Sequence, residues 1–148
     1  MRVAKSITQK IPSVVSLLFI LLFVDAAVSK LMDFPEFRTQ LGQSPIVTAF
    51  ADWVAFGILA VEFLIAGMFF HRKWTLTAFY SSFALMTMFT TYIILVLNFS
   101  DFIPCSCGGV LEQLGWTEHI VFNLVFVAIA LLSIIFIERN NEIKKITL

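Results

Sequence analysis

The sequence predicts an all-α integral membrane protein built as a four-helix bundle. Of its 148 residues, 59% are hydrophobic and 14% are charged, whereas a soluble domain carries about 25% charged residues. The mean hydropathy is +0.94, and the apolar residues fall into blocks of roughly 20, enough for a helix to cross about 30 Å of hydrocarbon. The formal net charge is zero, and no basic cluster interleaves with aromatic residues, which argues against nucleic acid as a partner.

Four apolar runs are each long enough to span a bilayer within a single transmembrane domain. They cover residues 13–31, 53–70, 74–98 and 116–137. The first run also resembles a secretory signal, because basic residues precede it and Asp25-Ala26-Ala27 has the small residues of a cleavage site. We interpret it as a true span because the run reaches Leu31 once Asp25 is accepted inside it.

The basic residues predict that both termini face the cytoplasm. Eight of the ten Lys and Arg residues lie before the first run, in the link at 71–73, or after the fourth run. By the positive-inside tendency, the loops at 32–52 and 99–115 are then extracytoplasmic. In a bacterium this topology describes a multi-pass inner-membrane protein whose cysteine-containing loop faces the periplasm, where thiol pairs form disulfides.

Both outer loops are predicted to contain short helices. The first has apolar residues at helical spacing, a proline suited to a first turn and a glycine suited to a stop. These residues are Phe34, Pro35, Phe37, Leu41 and Gly42. We expect an amphipathic helix that lies on the membrane surface and covers the bundle. In the second loop, residues 110–114 predict a further helical turn that ends at Gly115.

The only cysteines, Cys105 and Cys107, are separated by one residue and are followed by two glycines. Pro104 removes a backbone donor and the glycines permit unusual backbone angles, so a tight non-helical turn is predicted. A disulfide across one residue demands a short Cα separation, and departures from relaxed geometry make the bond easier to reduce. The pair is therefore predicted to be a redox-active dithiol.

Two other interpretations of the cysteine pair stay open. A purely structural disulfide would close so short a loop that it would stabilise the fold only slightly. A metal site would use both thiolates for Cu(I), with His119 the nearest histidine, and falls short of the four ligands that zinc requires.

Asp25 and Glu62 are carboxyl groups inside predicted spans. Each costs about 2.5 kcal/mol or more if it faces lipid, so both are expected to point into the bundle or toward water. They could relay the protons that dithiol oxidation releases, or be neutral carboxyls bonded to a neighbouring hydroxyl. Lys30, near the outer boundary, could pair with Glu62 or Asp25, or extend to the headgroups.

The third run places small and hydroxyl side chains on one helical face. They are Thr77, Tyr80, Ala84, Thr87, Thr91 and Asn98. We expect this face to pack against other helices, with a quinone-head site at Tyr80, Thr87 and Thr91 as the alternative. At the outer end of the fourth run, His119 and Asn123 lie within reach of the cysteine loop, in a catalytic or an interfacial role. Most phenylalanines are expected to face lipid.

The chain resembles the DoxX/MauE superfamily of four-helix membrane proteins, in particular its MauE-like redox-associated branch. The resemblance rests on the block at 25–34, Glu62, and the block at 104–110 followed by Gly115-Trp116, His119 and Asn123. It implies a bundle similar to the membrane cores of quinone-linked disulfide oxidoreductases. It also implies a role in forming disulfides in extracytoplasmic proteins, as MauE proteins are associated with maturation of the disulfide-rich small subunit of methylamine dehydrogenase.

The chain departs from the quinone-linked thiol oxidases in having a single Cys-x-Cys pair. A thioredoxin-like partner would therefore supply the second pair, and the chain could be a subunit of a larger membrane complex. The resemblance then suggests an oxidoreductase that passes electrons to a membrane acceptor such as quinone. Its candidate catalytic residues are Cys105, Cys107, Asp25, Lys30, Glu62 and His119. The alternatives are a non-enzymatic scaffold or assembly factor, and a Cu(I)-handling protein.

Overall fold

The computed structural model describes residues 2–43, 48–99 and 115–146, and its side chains over 11–43, 48–99 and 115–143. Within these ranges the chain forms five α-helices and one 3₁₀ turn, with no strand. The elements are α1 (Arg2–Met32), α2 (Phe34–Gln43), the 3₁₀ turn (Thr48–Phe50), α3 (Ala51–Met68), α4 (Thr75–Phe99) and α5 (Trp116–Ile146). The all-α prediction is confirmed.

Four helical segments are long and apolar enough to cross a membrane. They are Ile11–Met32, Thr48–Met68, Thr75–Phe99 and Trp116–Ile143. The chain is thus a multi-pass integral membrane protein, and each segment corresponds to one predicted apolar run. The boundaries differ by a few residues: the fourth segment continues past residue 137 into polar residues, whereas the second ends at Met68, before the apolar Phe69 and Phe70. The predicted orientation in the membrane stays a prediction.

The short helix α2 forms where the sequence predicts it and packs chiefly against α3. Its Leu41 is buried against Ala51 and Ala55, with Phe34 and Phe37 partly buried beside them. The apolar side of this amphipathic helix therefore contacts the bundle and covers one end of it.

An exposed ion pair links α2 to the start of α3. Arg38 donates from Nε to Oδ1 of Asp52 and from Nη2 to Oδ2, the latter at 2.8 Å. Because both side chains are more than half exposed, solvent screens the attraction.

We expect Arg38→Ala to lower the free energy of unfolding by at most about 1 kcal/mol, measured by denaturation in detergent with Asp52→Ala for comparison. A loss several times larger would contradict this surface role.

Phenylalanine rings fill the core at one end of the bundle. Phe19 is fully buried, and its ring meets Phe79 and Phe126 edge-on, with centroids 5.8 and 5.3 Å apart. Phe23 and Phe69 are also buried in this cluster. The expectation that phenylalanines mostly face lipid is therefore wrong for this group. Large rings occupy the space between the helices there and gain from edge-to-face contacts.

The helices associate as two pairs, with α1 packed mainly on α3 and α4 mainly on α5. The phenylalanine core joins the pairs at the end where α3 finishes and α4 starts. At the opposite end, where α1 and α4 finish and α5 starts, the pairs separate around a cavity. We call this end, marked by Lys30, Val96 and Trp116, the loop end.

Candidate functional site

The cavity at the loop end has a volume of about 230 Å³ and is lined by all five helices. Its walls are mostly apolar, and a few polar side chains converge on it, which is the usual composition of a ligand site. The polar lining residues are Lys30, Gln40, Glu62, Tyr92, His119 and Asn123.

A buried ion pair between α1 and α3 forms one wall of the cavity. Lys30 Nζ lies 2.7 Å from Glu62 Oε1, and the two side chains are 6% and 1% exposed. Side chains tilt toward the N-terminus of their own helix, and consecutive spanning helices run in opposite directions. Lys30 therefore leans into the bundle and Glu62 leans toward the loop end, so their charged groups meet.

This pair decides between the sequence-based alternatives for Lys30 and Glu62. Lys30 contacts Glu62, and the prediction of that pairing is confirmed. The alternative of a carboxyl bonded to a neighbouring hydroxyl is wrong for Glu62, because its described partner is an ammonium group. The separation of 32 positions along the chain explains why the sequence left this choice open.

Within the described residues, the ammonium group of Lys30 leaves one of its hydrogen-bond donors unused. A lysine ammonium has three donors; one goes to Glu62 Oε1 and one to the backbone oxygen of Ala26, at 3.3 Å. The rings of Phe37 and Phe89 lie near the same nitrogen, with centroids 5.9 and 5.8 Å away. These rings stabilise the cation from its sides and form part of the cavity wall.

The second carboxylate oxygen of Glu62 is buried without a partner. Among the described residues, no group donates a hydrogen bond to Oε2. A buried acceptor left unsatisfied costs about 1–3 kcal/mol, and such atoms in folded proteins call for an explanation such as a bound water or a functional role. Because Glu62 lines the cavity, its unpartnered oxygen marks the cavity as a candidate binding site.

His119 and Asn123 reach the cavity from the first turns of α5, and both are buried. The His119 backbone N–H donates to the oxygen of Gly115 at 2.9 Å, which continues the helical ladder back to the start of α5. Trp116 lines the cavity beside them, and Val96 lines it near the end of α4. The chain therefore leaves α4 and re-enters α5 next to the cavity.

Cys105 and Cys107 fall between those two helix ends. They lie outside the described residues, as does the helical turn predicted at 110–114. Across the part of the chain that is described, no group of three or more metal-ligating side chains could hold a metal ion. The Cu(I) interpretation involves the cysteines and stays a prediction.

Asp25 is exposed and does not line the cavity. Of the two expected orientations, into the bundle or toward water, the first is therefore wrong. The inward face of α1 holds Phe23, Ala27 and Lys30, all buried. Asp25 is two residues from both Phe23 and Ala27, which places its side chain about 200° around the helix from theirs, on the outward side of α1. The structure thus brings Glu62, Lys30 and His119 together, and Asp25 lies apart from them.

The hydroxyl stripe of α4 is exposed along its whole length. The expectation that it packs against other helices of this chain is wrong for Ala84, Thr87 and Thr91, because the buried face of α4 runs through Phe79, Met86 and Ile93 instead. Thr87 and Thr91 donate to backbone oxygens of their own helix, at 2.7 and 2.9 Å.

Tyr80, at the other end of the same stripe, donates to Glu138 Oε1 at 2.6 Å. None of Tyr80, Thr87 and Thr91 lines the cavity, so the structure separates them from Lys30 and Glu62. Their role in binding a cofactor stays a prediction.

Sequence reasoning missed much of the cavity wall, including the side chains of Gln40, Phe89 and Tyr92. Gln40 follows Phe37 by three positions on α2, and Tyr92 lies three positions after Phe89 and four before Val96 on α4. Helical spacing could have placed each on an inward face. The choice of inward face, however, depends on which helices pack together.

One comparison with known proteins identifies the family. The family described as "Methylamine utilisation protein MauE" matches residues 8–136. The chain belongs to the MauE family. The match includes the cysteine segment and every residue that lines the cavity, and it confirms the MauE resemblance inferred from the sequence. Searches of curated proteins and of solved structures found no match.

Proposed function

We propose that this MauE-family protein is a membrane thiol–disulfide redox module. In this proposal, Cys105 and Cys107 exchange disulfides with a thioredoxin-like or client protein outside the membrane and pass two electrons to a quinone within it. The observation that supports it is the cavity beside the two helix ends that flank the cysteine segment. A membrane acceptor bound there would contact helix ends that are near the cysteines in the sequence.

The proposed reaction has two balanced steps. First, a client thiolate attacks the Cys105–Cys107 disulfide, and a second client thiol completes the exchange. The client gains an S–S bond, and Cys105 and Cys107 become thiols. Second, the two thiols lose two electrons and two protons as their disulfide re-forms, and the quinone gains two O–H bonds to become a quinol.

Three residues of the cavity have proposed roles in the second step. Glu62 would transfer a proton between the cysteine segment and the quinone oxygen. Lys30 would hold Glu62 in place through the ion pair, and His119 would face the reacting ring from the first turn of α5. Asp25 has no role in this version of the proposal, because it lies on the exposed side of α1.

The client in this proposal is an extracytoplasmic protein that acquires disulfides. The family description names methylamine utilisation, so a protein of that process is one candidate client. The predicted topology, with the cysteine segment facing the periplasm of a bacterium, would place the pair where such clients fold.

The reduction potential of the Cys105/Cys107 pair tests the proposal. We expect a value near or above about −200 mV, in the range of catalytic thiol oxidants, by alkylation and mass shift of detergent-purified protein across a series of redox buffers. Cys105→Ser and Cys107→Ser should each abolish client oxidation and quinone reduction, whereas Ser106→Ala should preserve both.

A pair that stays oxidised below about −300 mV would indicate a structural bridge and contradict the proposal. Serine variants that still oxidise the client would contradict it as well. Loss of complex formation in those variants, without any redox defect, would favour the scaffold alternative.

A further inference from the structure

As far as the described residues go, Lys30 and Glu62 each leave one hydrogen-bonding position unused at the same cavity. Glu62 Oε2 accepts no hydrogen bond from the described residues. Lys30 Nζ has three donors and makes two hydrogen bonds to those residues. A hydroxyl group can use both positions at once, because its oxygen accepts from the ammonium and its hydrogen donates to the carboxylate. A ketone, ether or carboxylate oxygen cannot donate to Oε2.

The size and the walls of the cavity indicate what the hydroxyl is attached to. Its volume of about 230 Å³ far exceeds the roughly 30 Å³ share of one water molecule. It is smaller than the roughly 300–1,000 Å³ of the pockets that bind drug-sized ligands, so it suits a single ring. Phe23, Phe37 and Phe89 line it and offer apolar and aromatic contacts to that ring.

Met88 indicates how a ligand would reach the cavity. Its side chain lines the cavity and is also 54% exposed on α4. The cavity therefore extends to the outer surface of a membrane-spanning helix, where lipid chains would lie. A ligand with an apolar tail could place its ring inside and leave its tail among the lipids.

We infer that the cavity binds the ring of a lipophilic hydroquinone, with one ring hydroxyl bridging Lys30 Nζ and Glu62 Oε2 and the tail leaving beside Met88. The inference rests on the proposed function for the choice of a redox-active ring. The inference places the quinone acceptor in this cavity and not at the hydroxyl stripe of α4. It also implies that the quinol binds more tightly than the quinone.

Trp116 provides a local reporter for this site. The chain has three tryptophans; Trp116 lines the cavity, whereas Trp53 and Trp74 are exposed elsewhere. The full chain in detergent, with Trp53→Phe and Trp74→Phe, would report quenching by decylubiquinone at Trp116. Decylubiquinol and its dimethyl ether would then compete under anaerobic conditions. Cys105→Ser and Cys107→Ser in the same chain would remove the redox reaction from the measurement.

A cavity-filling substitution tests the location. Ile58 lines the cavity, and Val61, three positions along α3, is 42% exposed. We expect Ile58→Phe to weaken binding at least about tenfold and Val61→Phe to leave it unchanged, because only the first ring takes up ligand space. Both variants preserve the Lys30–Glu62 pair. The dimethyl ether should compete about tenfold more weakly than the quinol, since it leaves a buried carboxylate oxygen unsatisfied.

Three outcomes would overturn the inference. One is quenching of Trp116 no stronger than that of the exposed tryptophans in a Trp116→Phe variant. Another is binding that Ile58→Phe does not change. The third is equal competition by the quinol and its ether, which would mean that water or another group satisfies Oε2.

The assay distinguishes this inference from the proposed function because it needs no cysteine. Specific binding together with a cysteine potential below about −300 mV would support the site and contradict the redox module. A potential above about −200 mV without specific binding would support the redox module and contradict the site.

Discussion

Glu62→Leu is expected to destabilise the protein by about 3–5 kcal/mol, as measured by the free energy of unfolding in mixed micelles. The substitution removes one member of a buried ion pair whose side chains are 6% and 1% exposed. Lys30 would then be a charged group enclosed by apolar walls with no carboxylate to balance it. Lys30→Met should have a similar effect, because it leaves the Glu62 carboxylate in the same position.

The double variant Lys30→Met/Glu62→Leu should be more stable than either single variant. Removing both charges also removes the cost of burying them, and apolar replacements of a buried ion pair are often neutral or stabilising. A double-mutant cycle of the unsubstituted protein, the two single variants and the double variant gives the coupling energy of the pair. Equal and additive losses, with the double variant the least stable, would contradict the buried pairing.

The exposed pair Arg38–Asp52 is the matched control for this cycle. It joins α2 to α3 through two hydrogen bonds, but solvent surrounds both side chains. Its coupling energy should be at most about 1 kcal/mol. The double variant at Lys30 and Glu62 should also lose quinol binding while it stays folded, which would separate the role of the pair in binding from its role in stability.

Phe19→Ala is expected to lower the free energy of unfolding by up to about 3 kcal/mol. The Phe19 ring is fully buried and contacts the rings of Phe23, Phe69, Phe79 and Phe126. In a membrane the hydrophobic effect contributes little between helices, so the loss comes from packing contacts that a void cannot replace. Unfolding in mixed micelles would measure it.

Phe63→Ala is the control for this second prediction. Phe63 lies on α3 with 42% of its surface exposed, so lipid or detergent can replace the contacts that its ring loses. We expect little change in the free energy of unfolding of Phe63→Ala.

Phe19→Ala should leave quinone quenching of Trp116 intact, because Phe19 does not line the cavity. A binding loss as large as that of Ile58→Phe would show that the core and the cavity are not independent.

The predicted spans agree with the helices because span formation is a local property. Each apolar block must satisfy its own backbone hydrogen bonds in lipid, and a helix does so without reference to other segments. The same reasoning applies to α2, where the spacing of Phe34, Phe37 and Leu41 predicts a helix with one apolar side. Such patterns can be interpreted within a window of a few turns.

The inward faces of the helices could not be predicted in the same way. In a soluble protein the polar face of a helix marks the outside, but in lipid an apolar face suits either the bundle or the bilayer. The hydroxyl stripe at Thr87 and Thr91 shows the consequence. Its side chains bond to their own helix, so they can face lipid without an unsatisfied donor, whereas Ser82 and Thr90 make the same bond and are buried. The cost of a charge in lipid predicts that Asp25 points into the bundle or toward water, and the packing of α1 leaves it exposed.

The sequence by itself therefore determined the all-α class, the four spans, the helix α2 and the family, because each follows from local periodicity or from motif residues. Only the tertiary structure decided that Lys30 pairs with Glu62, that His119 joins them at one cavity, and that Asp25 and Tyr80 lie outside it. The physical reason is that these relations depend on how antiparallel helices rotate against each other. That rotation is set by side-chain packing between segments distant in the chain.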